Sequence, residues 1–103
     1  MPVQTKRDVF DILHEQREAI RALGVRRCGI FGSFAHDRAT AGSDVDVLVE
    51  FEPGEKTFQH FMGLVFLLEE AMGRPVEVVT VASLSPYLKP HIMCEVEYVA
   101  LDA

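Results

Sequence analysis

The stretch from Cys28 to Phe51, CGIFGSFAHDRATAGSDVDVLVEF, decides the fold and points to the chemistry. An apolar run ends at the pair Gly32-Ser33, ten residues follow, and Asp44-Val45-Asp46 then opens an alternating segment. Side chains two apart in a strand point the same way, so Asp44 and Asp46 are expected on one face and Val45, Val47 and Val49 on the other. Adjacent carboxylates repel, and strands are poor in Asp. A divalent cation between them turns that repulsion into attraction, and Mg²⁺ is commonly held by one or two carboxylates plus phosphate oxygens of a substrate. Gly32 has no Cβ and lets the backbone approach a ligand closely. Ser33 reads as an N-cap, with Phe34, Ala35 and His36 forming a first helical turn whose free N–H donors suit an anion. The stretch is therefore read as a triphosphate cradle beside a metal site.

Working outward, 103 residues suit one domain, 1–103, with a single core. Just under half the residues are hydrophobic (49%), which makes the chain globular and not disordered. A formal net charge of −6 argues against broad nucleic-acid binding, which relies on Lys and Arg. It suits a metal site or a basic partner. Cys28 and Cys94 lack the spacing of a zinc site or a disulfide framework. Residues 1–20 are charged and amphipathic, unlike a signal peptide, and no apolar run is long enough to span a bilayer. The expected compartment is the cytoplasm, with both thiols reduced.

Thr5 is expected to open a helix, with Asp8 as its acidic partner. Val9, Ile12, Leu13, Ala19, Ile20 and Leu23 form its apolar stripe, and Gly24 stands where a left-handed cap belongs. His14 beside the stripe has no evident ligand partner and reads as structural or surface. Strands are expected at Val25–Phe31, Asp44–Phe51 and Pro75–Val81, with a short edge strand at Val96–Leu101. Arg26 and Arg27 are solvated or reach an acidic partner. Thr57 caps a helix that runs to Met72, and its apolar residues extend well past one face. Such a helix is either central in the fold or covered by a second chain. Ser85-Pro86 resembles a helix start, but Pro90 follows so soon that a distorted first turn or a later start is expected.

These residues resemble the minimal nucleotidyltransferase family, small members of the polymerase-β-like nucleotidyltransferase superfamily. The resemblance rests on Gly32-Ser33, ten residues, Asp44-Val45-Asp46, and on the later stretches Gly73-Arg74-Pro75-Val76-Glu77-Val78-Val79-Thr80 and Leu84-Ser85-Pro86-Tyr87-Leu88. It implies an α+β fold, a mixed sheet of three to four strands with helices packed on it. It also implies transfer of a nucleoside monophosphate from a triphosphate, ATP in many members, to an acceptor hydroxyl. By the same resemblance, Gly32 and Ser33 would hold phosphates, and Asp44 and Asp46 would hold two Mg²⁺ ions. Glu77 stands where the family usually places a third, aspartate ligand, and is one methylene longer. His36-Asp37 stands where Arg-Gly is common.

Many relatives are encoded beside a HEPN-domain ribonuclease toxin and act as its antitoxin, in several cases by moving AMP onto a toxin tyrosine. The resemblance thus implies a protein adenylyltransferase with a HEPN partner. The apolar helix at 58–72 would provide a hetero- or homo-oligomer contact. The Asp-to-Glu exchange and the His36-Asp37 loop keep open a second reading, a weak or inactive enzyme that neutralises its partner by binding alone. Transfer to a small molecule fits less well, because such relatives usually carry a further domain for the acceptor.

Overall fold

In a computed structural model, which describes residues 2–101, the first helix opens as Thr5 and Asp8 require. The Asp8 amide donates to Thr5 Oγ1 at 3.1 Å, and the Thr5 and Gln4 amides donate to Asp8 Oδ2 at 3.2 and 2.9 Å. These bonds satisfy donors that a helix start leaves orphaned. Asp8 is accordingly held below the usual carboxylate range, chiefly by the Gln4 amide. The expected single helix is two: α1 spans Lys6–Glu15 and α2 spans Arg17–Ala22. Gln16 leaves helical geometry between them (φ −93°, ψ 10°), and the Arg17 guanidinium takes the His14 carbonyl at 2.9 Å. The stripe survives the break, with Val9, Leu13 and Ile20 fully buried. Gly24 then reverses the chain at φ +85°, in the left-handed region that favours glycine.

Strand β1 (Val25–Phe31) leads into a single turn, α3 (Gly32–Ala35), and then β2 (Val45–Phe51). Helix α4 (Phe58–Met72) crosses to β3 (Val76–Thr80), and a 3-10 turn at Val81–Ser83, α5 (Lys89–Glu95) and β4 (Glu97–Val99) complete the chain. The strands form one mixed sheet in the order β3-β2-β1-β4. β1 is antiparallel to β2 and β4, while β2 and β3 run parallel across the α4 connection. This is the expected α+β architecture with four strands.

Three strand boundaries differ from expectation, and the first is β3, which spans Val76–Thr80 where Pro75–Val81 was expected. Asp44 lies one residue before β2. β4 is shorter than Val96–Leu101. The last helix begins at Lys89, the later start that Pro90 led one to expect, and Ser85 closes a turn before it, its hydroxyl accepting from the Leu88 amide at 3.2 Å. Pro90 then sits in the first turn of α5, where its missing N–H costs nothing.

The core lies on one sheet face. Cys28, Ile30, Val45, Val47, Val49, Val76 and Val78 pack there with Val9, Leu13 and Ile20 from the first two helices and Leu64, Leu68 and Met72 from α4. Burial pushes the Cys28 thiol up to about 12, while Cys94 is exposed; both are free. The opposite face carries Asp46, Leu48 and Glu50 of β2. Arg26 and Arg27 both pair with Glu50, and Arg27 lies 4.1 Å from the Tyr98 ring centroid. Among the described residues, no helix is long and apolar enough to cross a membrane.

Candidate active site

Register places the central carboxylates. Phe31 of β1 is paired with Asp46 of β2, and Asp46 with Glu77 of β3, so one row crosses three strands on the face away from the core. The valines flanking Asp46 are buried, so the alternation of β2 holds its side chain outward. Asp46 is half-buried, whereas Asp44 and Glu77 are exposed. Asp46 is pushed up to about 6, first by its burial, then by the negative charge of Glu77, with Asp44 and Glu95 adding to it. Asp44 just before β2, Glu77 of β3 and Glu95 of α5 thus all act on Asp46.

Gly32 stands over the same point. Its φ is +76°, and a Cβ built on it would lie 2.2 Å from Asp46 Oδ2. The residue must be glycine on two counts, backbone conformation and contact with the carboxylate. The expected N-cap at Ser33 is not formed. The hydrogen-bonded turn begins at Gly32, itself left-handed, with Phe31 in the cap position, and Ser33 is the second residue of the turn. At four residues, α3 offers only the amides of a single turn, and no extended helix dipole stands behind them.

That turn ends in a complete left-handed cap. The Arg38 amide donates to the Ser33 carbonyl at 2.8 Å and the Asp37 amide to the Phe34 carbonyl at 3.3 Å, with Asp37 itself at φ +56°. Asp37 therefore fills the position that favours glycine. Beyond it, Arg74 staples the excursion. Its Nη1 donates to the carbonyls of Thr40, Ala41 and Ser43 at 2.9, 3.1 and 3.1 Å, and its Nε to that of Val3 at 2.6 Å. The guanidinium also lies 5.1 Å from the Phe34 ring centroid. Arg74 thus fixes the loop that delivers Asp44.

Among the described residues, no three His, Cys, Asp or Glu side chains converge as a ready-made metal cage. The donor set still fits a hard dication. Its members are carboxylates, their mutual repulsion is relieved by positive charge, and Mg²⁺ takes remaining ligands from phosphate oxygens. Hollows of about 380, 450 and 520 Å³ open elsewhere on the molecule, and none is lined by Gly32, Ser33, Asp44, Asp46 or Glu77. The carboxylates stand on an accessible face.

With this geometry in hand, comparison with known proteins is decisive on family. The sequence profile of the nucleotidyltransferase domain matches residues 13–99. The chain belongs to the nucleotidyltransferase domain family. It is 34% identical over 100 residues to the protein adenylyltransferase MntA of Thermococcus cleftensis, covering 96% of this chain and all of that one (100%). A Methanocaldococcus jannaschii protein, provisionally named a protein adenylyltransferase, is 43% identical over 72 residues, covering 70% of this chain and 76% of that one. A solved minimal nucleotidyltransferase superposes with TM-score 0.70 at 33% identity, covering 85% of this chain and 93% of that chain. A toxin–antitoxin crystal containing AMP-PNP holds a chain with TM-score 0.65 at 18% identity, covering 90% of this chain and 70% of that one, a likeness of fold.

In this nucleotidyltransferase two further residues meet at the candidate site that the spacing of its motif did not reveal together. Glu95, at the end of α5, accepts from the Gly32 amide at 3.2 Å through Oε1, and its Oε2 lies 2.7 Å from His36 Nε2. The His36 contact, foremost, holds Glu95 below the usual carboxylate range. Glu95 comes from 63 residues downstream of Gly32, so no local pattern marks it. For His36 the sequence leaves open contact with the nucleotide or a plain loop role, and gives no sign of its contact with Glu95.

Proposed function

We propose that this nucleotidyltransferase moves AMP from ATP to a tyrosine hydroxyl of a HEPN-domain ribonuclease toxin, the tyrosine oxygen bonding to the α phosphorus as the α–β bond breaks and pyrophosphate and the hydroxyl proton leave, and so serves as its antitoxin. The observation that carries the reading is Asp46, held half-buried among Glu77, Asp44 and Glu95 and against Gly32. Asp44, Asp46 and Glu77 are the residues that would hold Mg²⁺, two ions in this reading. When bound, the metal supplies charge neutralisation for the triphosphate and acidifies the attacking hydroxyl. Gly32 and Ser33 bring backbone close to the phosphates, and Arg74 holds the loop before Asp44 in place. Phosphoryl chemistry needs mainly positioning and charge neutralisation, which a domain of this size can supply. The accessible carboxylate face suits an acceptor carried on another protein. The names of the Thermococcus and Methanocaldococcus relatives support protein adenylylation, and the partner follows from the family resemblance; a cytoplasmic setting with both thiols reduced belongs to the same proposal.

Incubation with ATP, Mg²⁺ and the partner encoded beside it tests this reading. The partner's intact mass should rise by one or more AMP units, mapped by fragmentation to tyrosine. An unchanged mass would defeat the enzymatic claim.

A second reading is favoured by one observation: Phe58 and Phe66 on α4 are 80% and 63% exposed, a surface suited to holding a partner whether or not chemistry follows. In that case neutralisation in cells would survive the double change Asp44→Asn, Asp46→Asn. On the catalytic reading it is lost.

A further inference from the structure

The amide of Gly32 already has an anion on it. Glu95 Oε1 accepts its N–H at 3.2 Å, and Glu95 Oε2 meets His36 Nε2 at 2.7 Å. One carboxylate therefore bridges a backbone donor and an imidazole on the two sides of the α3 turn. This is the arrangement in which a phosphate oxygen pair would be received, since both ligands are negatively charged acceptors of similar reach. Glu95 is nonetheless a poor permanent resident. It adds a fourth carboxylate to a face that already gathers Asp46 against Gly32, Glu77 beside it on β3, and Asp44. The helix that delivers it, α5, has no buried residue and begins late, after a turn at 85–88, so little packing resists a shift of its last turn.

We propose that Glu95 is the resting occupant of the phosphate seat: it holds Gly32 and His36 in the nucleotide-free protein and surrenders both donors when the triphosphate binds. This rests on the nucleotide-transfer reading and deepens it. Glu95 is then a residue that sets nucleotide affinity, and His36 is a phosphate-side donor that Glu95 keeps oriented until it is needed. The displaced carboxylate leaves the triphosphate without a like charge at its seat, so binding and displacement are one event.

Affinity for a non-hydrolysable ATP analogue and for inorganic tripolyphosphate, each with Mg²⁺, should be measured by calorimetry on the wild type and on Glu95→Gln and His36→Ala. Removing a competing anion should tighten both ligands about tenfold in Glu95→Gln, and losing a donor should weaken both in His36→Ala. A merely structural Glu95 would lower the melting temperature of Glu95→Gln and leave affinity unchanged or weaker, which overturns the proposal while nucleotide binding by the wild type stands. If neither wild type nor Glu95→Gln binds either ligand, the nucleotide reading itself fails and this inference falls with it. Should Glu95→Gln not fold, a crystal of the wild type with the analogue decides: a phosphate oxygen on the Gly32 amide supports displacement, and Glu95 still seated there overturns it.

Discussion

Asp46 is a carboxylate held where its charge is least welcome, and its cost is measurable. Its folded-state pKa of about 6 lies above the ordinary 3.8, so the ionised form opposes folding. That penalty is full above about pH 6, shrinks as the pH falls, and is gone below the unfolded value near 3.8. Because the group is only half-buried, solvent screening leaves roughly 1 kcal/mol. Asp46→Asn should therefore stabilise the metal-free protein by about that amount at pH 7 in denaturant melts, with the gain vanishing near pH 4. A gain that persists at pH 4 would mean packing and not charge.

Gly32 carries the complementary prediction. Gly32→Ala should cost about 1–2 kcal/mol from its left-handed backbone. Its methyl would also displace Asp46 Oδ2, and misplacement on the order of 1 Å can cost about 10²-fold in rate. Transfer activity should thus fall far more than stability. That Gly32 and Asp46 lie close together was legible in the motif, because alternation within a strand and spacing along the chain are local properties; Glu77, paired with Asp46 across β3, was marked only by the family resemblance. Glu95 was not, since tertiary packing alone brings α5 to Gly32.

At the scale of elements, the α3 turn has a left-handed cap filled by a residue with a side chain. Asp37→Gly relieves the conformation at φ +56°, and greater freedom of the unfolded chain offsets part of the gain. A net stabilisation of about 0.5–1 kcal/mol is expected, seen as a melting temperature a few degrees higher. Arg74→Ala should act in the other direction. It strips donors from four carbonyls and frees the loop before Asp44, with a loss of about 2 kcal/mol and a weaker response of the melting temperature to Mg²⁺ and nucleotide.

The element pattern itself was readable: Thr5, Gly24 and Thr57 act as the caps their positions suggest. The break at Gln16 was not, because no Gly or Pro marks it and the apolar stripe runs through it. The cap expected at Ser33 falls two residues earlier, at Phe31. Gly32, in its left-handed conformation, turns the chain into α3 before a side-chain cap can act.

Across the whole molecule, α4 both closes the core and shows aromatic side chains to solvent. It buries Leu64, Leu68 and Met72 against the sheet and leaves Phe58 and Phe66 to solvent. Phe66→Glu should leave the melting temperature nearly unchanged, as for substitutions away from packed features, within about 0.5 kcal/mol. It should weaken partner binding about tenfold or more if α4 is the contact, and unchanged affinity would place the partner elsewhere.

The central claim, that Asp44, Asp46 and Glu77 beside Gly32 transfer an adenylyl group, is tested most directly by comparing ATP labelled at the α and at the γ phosphate. With Mg²⁺ and the partner, the wild type should pass the α label to the partner and never the γ label. Chelation of the metal or Asp44→Asn with Asp46→Asn should abolish the transfer. No α label on the partner, or labelling that survives the double substitution, would contradict the account.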